Sequence, residues 1–326
     1  MTPDYRLIIF ADFARELCAG YRNSLTPSGA ASKIERVRQL PVQARLSPVG
    51  PYSLRLSGRH AGDATREVRD GLLRATISVD GKLERVHAAQ AADGAIHVAA
   101  ESESGVEQVR FMLGLDDDHS AFLLRFAGDP LIGEAVRRLR GLRPMRTATV
   151  AHALLRAVCG QLIQASRARQ IERLVIRACT PELEGLHAAP TAADLARFSP
   201  AGLRNLGLGA RRGAALIRLC RGLDLEGLKT LPTDVVARRL ERERGLGPWS
   251  VGVVSLEGLG RYERGLARDL GLVKLASALW GRRIEAQESD ALLEPYGEWS
   301  GLASVYLLAG AATGLIPFTR EQRDAA

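Results

Sequence analysis

Two hydrophobic periods divide the chain. From residue 48 to about 118, apolar and polar residues alternate, which predicts strands over Tyr52–Leu56, Leu73–Val79, Leu83–Ala89 and Ala95–Ala99. Asp80-Gly81 and Asp93-Gly94 stand between these runs as turn signals. The pattern is that of a small antiparallel sheet with one buried face. From residue 119 the period becomes helical. Val150–Ile163 is an apolar helix and Arg167–Cys179 a basic amphipathic one. Short helices over Thr191–Phe198, Ala210–Leu223 and Thr233–Glu243 follow, then Pro248–Leu259, Asp269–Trp280 and Trp299–Ala311. Residues 1–47 form an arm: Tyr5–Leu17 reads as a strand or a short helix, and Asn23–Ser32 as a loop. The expected architecture is α+β, with an antiparallel β-rich domain (48–118) ahead of an all-α domain (119–326).

The composition is that of a globular protein: 46% hydrophobic and 25% charged residues over 326 positions, enough chain for two or three domains. The formal net charge is +8, carried mostly by arginine. That excess fits a polyanionic partner, since guanidinium groups fork onto phosphates, and it equally fits a genome rich in arginine codons. The cysteines Cys18, Cys159, Cys179 and Cys220 form no CxxC pair. They read as reduced thiols of an intracellular protein rather than metal or cluster ligands. Asp12 and Glu16 follow the short apolar run at Leu7–Phe10, unlike a signal peptide, and no run approaches the roughly 18 apolar residues of a membrane span. These features predict a cytoplasmic, nucleoid-associated protein.

The segment Arg244-Gly-Leu-Gly-Pro-Trp-Ser-Val251 lies between two helices. Gly245 and Gly247 permit a tight turn with exposed amides, and Pro248 suits the first turn of the next helix. Such a turn either grips a phosphate without reading a base or simply joins two packed helices. Downstream, Gly258-Leu-Gly-Arg-Tyr-Glu-Arg-Gly-Leu-Ala-Arg-Asp269 brings a carboxylate to the start of a helix. Asp269 is a good N-cap, and a capping position also presents the acid at the surface beside the hairpin.

Taken together, these segments resemble the helix-hairpin-helix/Gly-Pro-Asp superfamily of DNA glycosylases, especially its inducible 3-methyladenine (AlkA-like) type. Gly141-Leu-Arg-Pro, Ala157-Val-Cys-Gly-Gln-Leu-Ile, Leu206-Gly-Leu-Gly-Ala-Arg-Arg-Gly and Tyr296-Gly-Glu-Trp-Ser-Gly-Leu-Ala-Ser-Val-Tyr match further family segments in order. The loop before Asp269 lacks the family's proline, and Ser300 and Leu308 stand where arginine and tryptophan are frequent.

The resemblance implies a monofunctional glycosylase acting on double-stranded DNA with damaged bases, as a monomer and with no required cofactor. Asp269 would be the catalytic carboxylate, and Gly245, Gly247 and Pro248 the DNA-binding hairpin. Trp249 stands where lyase members carry a Schiff-base lysine, so no imine chemistry is expected. Its indole either stacks on a cationic, flipped base or packs in the core. Tyr306 is equally a base-pocket or a core residue. Leu162, with Gln161 beside it, would be the wedge filling the gap left by the flipped nucleotide, or else a core leucine. The carbonyls of Glu243 and Leu246 would hold a structural Na+ or K+. The rivals are a non-catalytic hairpin binder, which needs no acid at 269, a bifunctional lyase, and a suicide alkyltransferase, whose cysteine motif is absent.

Overall fold

The computed structural model describes residues 40–161 and 163–316. Leu162, most of the N-terminal arm and the last ten positions lie outside the described residues. The sheet is five-stranded and antiparallel throughout, in the order β1(Val42–Leu46)-β5(Ile96–Ala100)-β4(Lys82–Gln90)-β3(Leu72–Val79)-β2(Arg66–Arg69). The turns Asp70-Gly71 and Asp80-Gly81 each place two successive residues at positive φ, the twist a two-residue hairpin requires. Leu73, Ala75 and Ile77 point to one face with Val86, Ala88 and Val98 and meet Val106, Val109 and Met112. The last three lie on a helix, α2 (Glu103–Leu113).

Three sequence expectations change here. The alternation over Tyr52–Leu56 is not a strand: Leu54–Ser57 is a turn of helix, α1. Gln90 explains the difference. Its side chain accepts from Leu54 N (2.9 Å) and donates to Tyr52 O (2.9 Å), taking the backbone groups a neighbouring strand would use. The sheet also reaches back into the arm through β1, across the expected boundary at 48. The later region is not wholly helical, because β6 (Glu182–Leu183) and β7 (Leu186–His187) form a ribbon against the sheet, where His187 N donates to Ala64 O (2.8 Å).

The other helices are α3 (Ser120–Phe126), α4 (Gly133–Arg138), α5 (Val150–Gly160), α6 (Ala165–Cys179), α7 (Ala192–Ala196), α8 (Pro200–Asn205), α9 (Ala210–Gly222), α10 (Thr233–Glu241), α11 (Pro248–Val253), α12 (Leu270–Leu279) and α13 (Ser300–Thr313). Of these, α3, α4 and α8 have no counterpart among the individually predicted helices, and the helix expected over Pro248–Leu259 gives way to a π-helical turn after Val253. They build two cores. Apolar side chains of α5, α6, α9, α10 and α11 fill one. The other is filled from α3, α4, α12 and α13, and Tyr306 belongs to it, 1% exposed, with its hydroxyl donating to Leu139 O (3.2 Å). Of the two readings of Tyr306, pocket wall or core residue, this packing is the core one. Position 306 points into α13's packed face, where the hydroxyl finds buried carbonyls.

A seam of buried charge joins the sheet to α5 and α6. Arg156 donates to Asp63 (2.6 Å), Glu172 (2.9 Å) and Glu257, His152 meets Glu172 at 2.8 Å, and buried Arg66 donates to Arg146 O. Burial alone would raise the carboxyls of Asp63 and Glu172. The guanidinium and imidazole groups around them outweigh it and hold both below the ordinary range.

Candidate active site

The hairpin runs from the end of α10 to the start of α11. Gly245 has φ +98°, which favours glycine, and Leu246 turns inward to the core, its amide donating to Glu243 O (3.1 Å). Gly247 differs. Its φ of −108° suits any residue, and a Cβ there would meet nothing within 4 Å. Neither conformation nor crowding within the chain demands glycine at 247, so its bareness leaves the start of α11 open to whatever approaches. Pro248 occupies the first helical turn. Arg218 braces the hairpin by pairing with Glu243 and donating to Arg244 O (2.6 Å).

Gln161 ends α5 and is tied to this hairpin. Its side-chain amide donates to Gly245 O (2.8 Å) and Ser250 Oγ (2.9 Å), while its own carbonyl accepts from Arg212 (2.8 Å). The next residue, Leu162, lies outside the described residues.

Trp249 and Asp269 meet. Asp269 caps α12: its Oδ1 accepts from Gly271 N (2.7 Å) and its Oδ2 from the indole Nε1–H of Trp249 (2.8 Å). Trp249 packs against the first helical core and Asp269 opens a helix of the second, so this hydrogen bond crosses between them. The indole lies so close to α5 that a Cβ at Gly160 would sit 2.5 Å from its Cη2. Burial raises the Asp269 carboxyl above its ordinary value, opposed by the N–H groups of Trp249, Gly271 and Leu272. Among the described residues no Lys or Arg forms an ion pair with it. Leu270, 55% exposed, is its neighbour, and Leu308 packs on Gly271.

The structure thus brings together Gln161, Gly245, Gly247, Pro248, Trp249 and Asp269, and leaves Tyr306 apart. Sequence reasoning missed the indole's bond to the acid, the bracing by Arg212 and Arg218, and Gly160 as the gap the indole fills. Only Gly160 left a trace, as the one glycine late in an apolar helix. For metals, Asp63, His152 and Glu172 converge within 4.8 Å, but Arg66 and Arg156 already neutralise that cluster. At the hairpin, the Glu243 carbonyl already accepts one amide, and its carboxylate is taken by Arg218.

No family model matches the chain. It is 24% identical over 216 residues to a DNA-3-methyladenine glycosylase of Bacillus subtilis, covering 63% of this chain and 71% of that protein. It is 25% identical over 322 residues to a probable bifunctional transcriptional activator/DNA repair enzyme AlkA of Mycobacterium tuberculosis. That match covers 91% of this chain but only 63% of the mycobacterial protein. Among solved structures, the 3-methyladenine DNA-glycosylase of Archaeoglobus fulgidus superposes with a TM-score of 0.70 at 21% identity, over 82% of this chain and 98% of that one. The 8-oxoguanine glycosylase/lyase of Clostridium acetobutylicum bound to double-stranded DNA gives 0.68 at 19%, over 85% and 99%. The chain is thus similar in sequence to a DNA-3-methyladenine glycosylase and shares the fold of the solved glycosylases.

Proposed function

We propose that the chain is a monofunctional DNA glycosylase that releases alkylated bases of the 3-methyladenine kind from duplex DNA. The observation that carries this reading is the Asp269 carboxylate. It is half-buried, pairs with no Lys or Arg among the described residues, is aimed by two N–H donors, and is set beside a bare glycine hairpin. A structural cap needs no such isolation; a group that stabilises developing positive charge does. Cleavage of the N-glycosidic bond builds oxocarbenium character on the sugar, and a fixed anion in a dry site lowers its energy. The ionised carboxylate also orients the attacking water. A base inside the duplex must be swung out to reach it. The hairpin's open amides, at Gly247 and the start of α11, hold the backbone by a phosphate while this happens.

The Trp249 indole holds the acid, exposed Leu270 follows it in the chain, and Leu308 lies against Gly271. An alkylated, cationic base leaves readily and needs little protonation. Since Trp249 occupies the place of the lyase lysine and its N–H holds Asp269, hydrolysis ends with an abasic site and no strand cut. In this reading the sheet with α1 and α2 is an N-terminal domain and the helices after it carry the helix-hairpin-helix unit. A non-catalytic hairpin binder would have no use for a carboxylate with a raised pKa. The test is base release from duplexes bearing 3-methyladenine, 7-methylguanine, hypoxanthine or ethenoadenine, with borohydride present in a parallel reaction. Release without a trapped adduct is expected. No release from any of them overturns the enzymatic reading, and an adduct overturns the monofunctional one.

A further inference from the structure

The segment between the π-helical turn Val254–Leu259 and α12 delivers Asp269 to the site yet is not itself a regular element. What fixes it comes from outside. Gly260 is left-handed (φ +65°), and a Cβ there would collide with the Arg146 guanidinium at about 2 Å. That guanidinium pairs with Asp117, donates to Phe111 O (3.2 Å) and lies over the Phe111 ring at 4.8 Å. Tyr262 donates its hydroxyl to the same Asp117 oxygen. Burial raises the phenol's pKa, so it stays a donor. His119, buried and without a hydrogen-bond partner on either ring nitrogen among the described residues, braces Tyr262 edge-on with centroids 4.5 Å apart.

From Tyr262 an unbroken relay leads to the carboxylate. Tyr262 O accepts from Gly301 N (2.7 Å) at the start of α13. One turn on, Ser304 Oγ accepts from Leu266 N (3.2 Å) and donates to Gly301 O (2.7 Å). Leu266 O then accepts from Asp269 N (3.0 Å). The strap lies backbone against backbone: a Cβ at Gly301 would sit 2.6 Å from Tyr262 O, and one at Gly252 would sit 2.2 Å from Gly265 O. The strap is thus packed closely against both α11 and α13.

We propose that Tyr262, Asp117 and Arg146 are positioning residues for Asp269. They clamp the strap so that the carboxylate meets the Trp249 indole and the sugar in one geometry. The inference rests on the glycosylase reading for its kinetic consequence, but not for its geometry.

The experiment compares the wild type, Tyr262→Phe, Ser304→Ala and the double variant. The chain has three tryptophans, so its indole ¹⁵N–¹H spectrum is simple, and Trp249→Phe assigns the signal that reports the bond to Asp269. Tyr262→Phe should move the Trp249 signal and leave that of exposed Trp280 in place. Single-turnover base release should fall about tenfold, since small misplacements of a reacting group are costly. Affinity for an abasic duplex should change by less than about twofold and the melting temperature by no more than about 3 °C, because only a hydroxyl is removed. The double variant should be no slower than the slower single one, as expected of one relay. An unmoved Trp249 signal, additive losses, or a rate loss that follows a large fall in melting temperature would overturn the clamp. Absence of base release in the wild type would sink the enzymatic reading, while the Trp249 signal would still decide the clamp.

Discussion

The molecule holds carboxylates away from full solvent in two places, deeply buried in one and half-buried in the other, and treats them in opposite ways. At the seam between the sheet and α5, Asp63 and Glu172 are surrounded by Arg66, Arg156 and His152, and their pKa values are driven down. At the hairpin, Asp269 has dipoles for partners and no cation among the described residues, and its pKa is driven up. The Asp63 and Glu172 side chains are only 4% and 3% exposed and Asp269 is half-buried, yet it is the shallower carboxylate that is raised, so the neighbours decide the sign. A carboxylate neutralised by guanidinium groups has its charge spent on structure. One held only by N–H groups keeps a full charge for a cation that arrives later, and the sugar of a breaking glycosidic bond is such a cation.

The largest effect should come from breaking the seam. Arg156→Ala leaves Asp63, Glu172 and Glu257 short of a partner, and removing one member of a buried ion pair typically costs about 3–5 kcal/mol. Urea unfolding should show that loss, with base release retained wherever the protein is still folded. Folded but inactive Arg156→Ala would break the comparison, because the seam would then be serving the chemistry. The pH dependence has a definite sign. Asp63 and Glu172 have lowered folded-state pKa values, so their contribution is present above the ordinary carboxylate range and is lost as pH falls through those lowered values. His119, lowered to about 4 by burial and by the charges of Arg143 and Arg146, adds to the same trend. The unfolded chain binds its proton near pH 6.5 and the folded one near 4, so stability falls as pH drops across that window.

The next effect sharpens the hairpin side. Trp249→Phe keeps a ring against Gly160 but removes the N–H from Asp269. A hydrogen bond to a charged group is worth about 1.5–3 kcal/mol, so base release near neutral pH should drop about tenfold or more. The lost donor was holding the pKa down, so the acid limb of the pH–rate profile should move to higher pH. An unmoved limb would show that the indole does not hold the carboxylate during turnover. Smallest is Tyr306→Phe, which forfeits bonds to Leu139 O and Leu142 O and should cost about 1 kcal/mol of stability while leaving the range of released bases unchanged. An altered base range would return Tyr306 to the pocket.

What the sequence made legible follows from what is local. The helix period located α5, α9 and α12 to within a few residues, and the capping position of Asp269 lay in its own segment. The Gly-x-Gly-Pro string marked its turn for the same reason. What depended on distant partners stayed hidden. Gln90 converted an alternating run into helix α1 from 36 residues away. The seam joins Arg156 to Asp63 and Glu257 across 93 and 101 residues, which no period records. Tyr306 has the same sequence neighbourhood whether it faces a pocket or a core, and only the packing of α3 and α4 against α13 decides. The strap from Gly260 to Asp269 was visible as a glycine-rich loop, but its clamp, Arg146 and Asp117, lies more than a hundred residues upstream.

The most direct test of the central claim is Asp269→Asn assayed for release of 3-methyladenine from duplex DNA, alongside its affinity for an abasic duplex and its melting temperature at pH 7. Asparagine keeps the shape and an acceptor oxygen but cannot carry the charge. Because burial raises the Asp269 pKa, the ionised carboxylate costs the free protein stability above that pKa, and its removal should leave the melting temperature equal or higher. The account predicts a loss of base release of at least about a hundredfold, with abasic-duplex binding preserved. Base release at the wild-type rate in a folded Asp269→Asn protein would contradict it.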